Sequence, residues 1–243
     1  MTSIGIYGSL GRMGQAIAAA APEMNAKLAG GADAGDDPAG IAAVADVLID
    51  FSAPQALEAH LAAARAAGKP IVIGTTGLSP QHHALIDEAA QRIAVLQTGN
   101  TSLGIGLLQR LVREAAAQLG PDWDIEIIEM HHRHKIDAPS GTALTLGEAA
   151  ARGRGQNLRR ISRRSRDGQV GPRVKGEIGF AALRGGDVVG DHTIIFAANG
   201  ERLELTHKAS SRETFANGAL RAAQWVVKQK PGLYDMQDVL GLK

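Results

Sequence analysis

Residues 129–143 set three imidazoles, His131, His132 and His134, beside the cations Arg133 and Lys135, and follow them with Asp137-Ala138-Pro139-Ser140-Gly141-Thr142. Folding alone does not call for that density of proton carriers. Imidazoles and a lysine give and take protons during a reaction. A Ser-Gly-Thr sequence that opens a helix turns backbone N–H groups and the positive end of the helix dipole toward an anion. The combination suits an enzyme that moves protons on a small carboxylate.

The apolar residues Ile125, Ile127 and Ile128 make the approach to this stretch a strand, so successive side chains alternate and His131 and His132 cannot share a face. One of the two faces the chemistry. A metal held by His131, His132 and His134 is a competing reading, but a strand does not group adjacent residues as ligands and no acid stands at helical spacing to complete the set, so no metal is assigned. Histidines that only pack or cap are a third reading. Lys135 favours catalysis, because a neighbouring cation or burial makes an ammonium a better proton donor.

The elements that must position these groups begin at the N-terminus. Residues 4–7 form a short apolar strand, Gly8, Gly11 and Gly14 follow in a G-x-x-G-x-x-G turn, and an alanine-rich helix covers residues 15–21. Strand, glycine turn and helix together bring a pyrophosphate against backbone N–H groups, though the standard fingerprint is G-x-G-x-x-G and a tight turn without ligand shares the pattern. A second strand over residues 27–32 ends at Asp33, near the offset at which an acid meets the adenosine ribose. Asp33 could equally be a solvated loop acid beside Asp36 and Asp37. Apolar strands at 44–52, 70–73 and 93–96 alternate with helices at 54–67 and 80–92, the pattern of a parallel sheet covered on both faces. Ligands of such sheets sit beyond the carboxyl ends of the strands, where the glycine turn, Asp33, Gly74-Thr75-Thr76 and Thr98-Gly99-Asn100 all fall.

From residue 101 the pattern changes. Residues 103–119 form a long amphipathic helix, and strands at 123–130, 176–183, 188–198 and 202–206 look antiparallel, with Asn199-Gly200 a hairpin turn. The last of these alternates polar and apolar residues, so one face of the sheet stays open for a substrate or a sister subunit. The helix at 212–228 returns to the first domain. The expected fold is α/β: a Rossmann-like, doubly wound parallel sheet, plus a C-terminal α+β domain with a mainly antiparallel open sheet. Residues 1–101 and 212–243 are the dinucleotide-binding domain, and residues 102–211 the substrate-binding and oligomerisation domain. Seven arginines between 152 and 166 read as a mobile basic loop, either a solvated insertion or an attractor of anionic substrate or cofactor phosphate.

The absence of cysteine excludes disulfides, thiolate nucleophiles and cysteine-based metal sites. A formal charge of +1 gives no general reason to bind nucleic acid or a membrane surface. The chain opens directly on a strand and has no apolar run of bilayer length, so a cytoplasmic location is expected.

Glu129-x-His131-His132-x-x-Lys135-x-Asp137-x-Pro139-Ser140-Gly141-Thr142-Ala143 resembles the signature of the dihydrodipicolinate reductases, more fully 4-hydroxy-tetrahydrodipicolinate reductases. The G-x-x-G-R-M-G opening, Asp50-Phe51-Ser52, Gly74-Thr75-Thr76-Gly77 and His207-Lys208-Ala209-Ser210-Ser211-Arg212 are similar too, in the same order along most of the chain. The resemblance implies an NAD(P)H-dependent reductase of the diaminopimelate route to lysine, acting on a small cyclic dicarboxylate as a homotetramer built through the second-domain sheets. It implies His131 as acid/base, Lys135 as proton donor, and His132, Gly141 and Thr142 as substrate ligands. The cofactor is implied on Gly8, Ser9, Leu10, Gly11, Arg12, Met13, Asp33, Gly74, Thr75, Thr76, Thr98, Gly99, Asn100 and Thr101. A dinucleotide-binding sensor without catalysis, or a dehydrogenase of another small carboxylate, is the alternative.

Two departures from the family pattern stand out. Members that use NADPH well commonly carry a basic residue straight after the ribose acid, whereas Asp33 is followed by Ala34, Gly35, Asp36 and Asp37. Such a loop repels a 2'-phosphate, so NADH is the expected preference, with NADPH possible and Arg12 the nearby cation that softens the choice. The segment between Asp33 and Val44 is also short, which trims the loop beside the adenosine.

Overall fold

The N-terminal apolar run folds as β1 (Thr2–Tyr7) in a computed structural model that describes residues 1–242. It leads through the glycine turn into α1 (Arg12–Ala20) and then β2 (Ala26–Ala32). The short segment after Asp33 is not simply a trimmed loop. Asp37 caps a helix, α2 (Pro38–Val44), by accepting from the Ala39 N–H, with Pro38 at the first helical position where its missing N–H costs nothing. β3 (Val47–Asp50) follows, then a 3-10 turn at Pro54–Ala56 and α3 (Leu57–Ala67), β4 (Ile71–Ile73), α4 (Pro80–Ala90) and β5 (Ala94–Gln97). The Ser79 hydroxyl and the His82 ring form a reciprocal cap at the start of α4. His82 therefore has a structural task.

α5 (Leu103–Leu119) opens the second part of the chain, followed by β6 (Asp124–His131), α6 (Gly141–Gly153), α7 (Leu158–Ile161), β7 (Ser162–Arg163), β8 (Ile178–Arg184), β9 (Gly190–Ala198) and β10 (Glu201–Ala209). The sheet order is β10-β9-β6-β8-β7. β10–β9 and β9–β6 are antiparallel as expected, whereas β6–β8 and β8–β7 are parallel, so the sheet is mixed. The physical reason is the connection: the chain leaves β6 through α6, and a helical crossover brings it back in the same direction. Ile125, Ile127, Glu129 and His131 are the buried residues of β6, alternating with half-buried ones, while Leu183 and Leu203 stay exposed.

The arginine-rich segment differs from expectation. It contains α7 and β7, and two of its guanidinium groups have acidic partners, on β6 and just before β8. Arg166 bonds Glu126 at 2.8 and 2.9 Å and Glu177 at 2.5 Å, and Arg163 reaches Glu177 at 3.3 Å. Arg154 donates to the carbonyls of Gly120 and Trp123. Glu126 and Glu177 lie outside the basic run, so the neutralising charge was invisible in its local sequence.

After β10 the chain forms α8 (Glu213–Val226), β11 (Gly232–Tyr234) and α9 (Met236–Val239). β11 completes a parallel six-stranded sheet of order β11-β5-β4-β3-β1-β2. One core layer sets Ile4, Ile6, Val47, Ile49 and Val72 against Ile17 of α1 and Ala219, Leu220 and Val226 of α8. The other sets Leu48, Ile71 and Ile73 against Ile41, Leu57, Leu61 and Ile86 of α2, α3 and α4. A sheet buried on both faces explains the nearly unbroken apolar strands. Two compact units result: Met1–Leu103 with the chain from Arg212 onward, and Gly104–Ser211. Among the described residues no helix is long and apolar enough to cross a membrane.

Candidate active site

In the first unit, the carboxyl ends of β1 to β5 bring the predicted cofactor loops to one edge of the sheet. Gly8 has a φ of +82°, and a Cβ there would lie 2.6 Å from the Phe51 carbonyl oxygen. A Cβ on Gly14 would lie 2.3 Å from the Gly8 oxygen. Only glycine lets the turn close this tightly over the start of α1, which leaves its N-terminal N–H groups without a side-chain cap. Leu10, Gly11 and Arg12 are exposed on this turn, and Ser9 and Met13 are half-buried. Asp33 is not a free loop acid. Its carboxylate accepts from Ser9 Oγ at 2.5 Å and from the Leu10 N–H at 3.1 and 3.2 Å, so it lies against the glycine turn. Asp36 accepts from the Asp33 N–H at 2.9 Å, which keeps a second carboxylate beside the first.

The side chains of the other loops are largely committed inward. Thr75 is buried and donates to Asp50 Oδ1 at 2.8 Å, while Thr76 is exposed. Gly74 closes β4 and donates to the Asp50 carbonyl at 2.9 Å. Thr98 Oγ1 donates to the Asn100 carbonyl at 2.8 Å, and Thr101, also buried, donates to the Phe215 carbonyl at 2.7 Å. Asn100 Oδ1 accepts from the Ser102 N–H at 2.9 Å, and Gly99, between Thr98 and Asn100, is exposed.

A buried network beneath this edge escaped the sequence reading. Asp50, fully buried, accepts from Ser52 Oγ at 2.6 Å and the Ser52 N–H at 3.0 Å, and its Oδ2 is 2.8 Å from His60 Nδ1. Burial pushes the Asp50 carboxyl up, but bonds from His60, Ser52 and Thr75 outweigh it and hold the group below its ordinary range. The Tyr7 ring stacks on His60 with centroids 4.0 Å apart, and its hydroxyl donates to the Pro38 carbonyl. Burial first, then the Asp50 charge, raise the Tyr7 phenol well above its usual value. The available signal was Asp50 itself, a carboxylate at the end of an unbroken apolar strand.

In the second unit, β6 delivers Glu129 and His131 to its buried face and ends there; His132 stands just past the strand. His131 Nδ1 is 2.6 Å from Glu129 Oε2. Arg184, paired with His131 across the β6–β8 ladder, grips both Glu129 oxygens at 2.8 and 2.9 Å. His192, paired with Glu129 across β6–β9, sets its ring against His131 with centroids 5.1 Å apart in a T-shape. Its Nε2 is 3.0 Å from Ser140 Oγ, and Ser140 caps α6 by accepting from the Ala143 N–H. Burial, then the neighbouring His131, push the His192 imidazole down to about 3, so it is neutral at physiological pH. Burial also lowers His131, with the Glu129 carboxylate opposing. Lys135 pairs with Asp137 at 2.8 Å in the loop that leads to Gly141 and Thr142, the first residues of α6. His132 tilts toward His134 with ring centroids 6.3 Å apart, and His134 is exposed. Among the described residues no three His, Asp or Glu side chains are grouped to hold a metal. Glu129 could have been found from its i, i+2 relation to His131; Arg184 and His192 could not, because strand pairing brings them in.

A parallel sheet with a glycine turn and an adjoining acid at its carboxyl edge, in a chain that also carries buried imidazoles beside a helix N-terminus, defines a dinucleotide-dependent oxidoreductase. The family models for the N-terminus and the C-terminus of dihydrodipicolinate reductase match residues 2–101 and 104–240. The chain belongs to that family. It is 54% identical over 246 residues to the 4-hydroxy-tetrahydrodipicolinate reductase of Zymomonas mobilis subsp. mobilis, covering 98% of this chain and 97% of the relative. It is 48% identical to that of Chromohalobacter salexigens over the full length of both. The dipicolinate-bound dihydrodipicolinate reductase of Paenisporosarcina sp. TG-14 superposes with a TM-score of 0.78 over 98% of each chain at 21% identity, a shared fold.

Proposed function

We propose that this chain is an NAD(P)H-dependent 4-hydroxy-tetrahydrodipicolinate reductase, forming tetrahydrodipicolinate in the diaminopimelate route to lysine. The observation that carries this reading is the buried Glu129–His131 pair beside the capped N-terminus of α6, in a chain whose relatives bear that name along their whole length. The glycine turn fits a dinucleotide: added Cβ atoms at Gly8 and Gly14 would collide with the backbone of Phe51 and of the turn itself, so only glycine lets it fold this closely over the start of α1, whose uncapped N–H groups suit a pyrophosphate. When bound, the nicotinamide supplies a hydride to ring carbon four of the substrate as its hydroxyl leaves as water. The first unit holds the cofactor on residues 8–13, Asp33, 74–76 and 98–101. In the second, Lys135 gives the proton that lets water depart, His131 acts as acid/base, and His132, Gly141 and Thr142 hold a ring carboxylate at the helix N-terminus. The enzyme is cytoplasmic and works as a homotetramer assembled on the open face of the five-stranded sheet, the face on which Leu183, paired with Met130, is exposed.

Freshly generated hydroxy-tetrahydrodipicolinate added to the protein with NADH is expected to cause a substrate-dependent loss of absorbance at the reduced-nicotinamide band. A sensor would bind NADH and show none, which would overturn the proposal.

NADH is the preferred cofactor. Asp36 bonds the Asp33 main chain and Asp37 caps α2, so both carboxylates are fixed in the loop a 2'-phosphate would have to approach. Arg12 is the compensating cation. The ratio of kcat/KM for the two cofactors is expected to favour NADH, and a tenfold advantage for NADPH would show the reverse (~1.4 kcal/mol).

A further inference from the structure

All the acceptor capacity of Glu129 in the second unit is spent on four contacts with three neighbours. Oε1 accepts from Arg184 Nη2 at 2.9 Å and from the Ser140 N–H at 3.1 Å; Oε2 accepts from Arg184 Nη1 at 2.8 Å and stands 2.6 Å from His131 Nδ1. The carboxylate is 1% exposed. We infer that Glu129, clamped by Arg184 and the α6 cap, is a positioning residue that holds His131 by Nδ1 and leaves Nε2 as the nitrogen that exchanges a proton with substrate. The inference deepens the reductase reading and rests on His131 acting as its acid/base.

The chemistry follows from what a buried carboxylate can do. Ionised, it only accepts, so the hydrogen on the His131 side of the 2.6 Å contact belongs to Nδ1 in both the neutral and the charged ring. Proton exchange is thereby confined to Nε2, and the ring cannot flip without abandoning a charge-assisted bond. Arg184 keeps Glu129 ionised: burial pushes its carboxyl up, but bonds from Arg184 and His131 hold it below its ordinary range. Arg184 also donates to the Asp137 carbonyl at 2.6 Å, and Ser140 ties the same Glu129 to the first turn of α6. One carboxylate therefore sets the imidazole in register with the residues that would seat the substrate carboxylate.

The charged and titratable groups facing His131 are Glu129 on its own strand, Arg184 from β8, His192 from β9 and Lys135 from the loop after β6. Arg184 and Lys135 disfavour the imidazolium and Glu129 favours it. Removing the Glu129 charge leaves two cations unopposed, so the pH limb governed by His131 must move to lower pH.

The decisive measurement on the full-length wild type is a long-range proton–nitrogen NMR spectrum, with His131→Gln to assign the ring. The neutral ring is expected to carry its proton on Nδ1; a proton on Nε2 would overturn the inference. Glu129→Gln is expected to lower kcat by about ten- to a hundredfold, as loss of an outer partner of a working histidine does, with NADH affinity unchanged. Its His131-governed limb should shift to lower pH, and Glu129→Asp should recover part of the rate. An unmoved limb in a folded Glu129→Gln protein would overturn the inference; if that variant does not fold, the wild-type tautomer decides. An undiminished kcat in His131→Gln would instead strike the proton-transfer reading. A collapsed kcat there together with a wild-type Nε2–H ring would strike the role of Glu129 alone.

Discussion

Lys135→Ala will lower kcat by roughly two to four orders of magnitude, the range a positioned proton donor supplies, while NADH affinity stays at the wild-type level. The separation follows from where Lys135 stands. It belongs to the second unit, in the loop joining β6 to α6, whereas the glycine turn belongs to the first. Its partner Asp137 is 58% exposed along its side chain, so water resolvates that carboxylate when the ammonium is removed. A pair this open contributes about 0–1 kcal/mol to stability, and a folding defect is not expected. Lys135→Arg should not restore the rate, because a guanidinium keeps its proton at any pH the enzyme works in. Steady-state rates with saturating NADH, set beside a fluorescence titration of NADH, check both halves of the claim. A kcat near that of the wild type would remove Lys135 from the chemistry.

What could be read from the chain was whatever depended on neighbours in sequence. The glycine turn, the helix caps and the strand-helix alternation are local, and so the Rossmann-like unit and its carboxyl-edge loops were visible in residues 1–101. The imidazole-lysine stretch was visible for the same reason. Hidden were relations made by pairing distant strands. Arg184 and His192 meet Glu129 and His131 because β8 and β9 flank β6, and nothing near residue 184 or 192 announces it. The same holds for the parallel run of β6 and β8, which depends on the path through α6, and for Glu126 neutralising Arg166. α2 was missed because Asp37 reads as one acid among several until its bond to Ala39 shows it as a cap. His60 reads as one histidine on an alanine-rich helix, and only the packing of α3 on the sheet reveals what it touches.

That packing makes Asp50 the residue whose loss should cost the first unit most. Asp50→Ala removes at once the acceptor for the Ser52 hydroxyl, the Thr75 hydroxyl and the His60 ring, of which Thr75 and His60 are buried and Ser52 half-buried; the Ser52 N–H keeps Thr75 Oγ1. Leaving several buried donors unmet costs about 3–5 kcal/mol, a large share of the total for a domain of this size. The urea midpoint should fall accordingly. NADH binding should weaken too, since Ser52 and Thr75 lie in the loops after β3 and β4 that the cofactor reading uses. The pH dependence carries a definite sign. Because the folded-state pKa of Asp50 is depressed, its contribution is complete above the unfolded carboxylate value of about 3.9 and is lost as pH falls from there through the folded value. Glu129 is depressed as well and adds to the same acid loss. Asp50→Asn keeps the shape but not the charge, so its stability should fall less steeply than wild type over that acid window. Parallel curves for the two proteins would mean that Asp50 is not held ionised by its neighbours, and the network beneath the carboxyl edge would have to be rebuilt with a protonated acid at its centre.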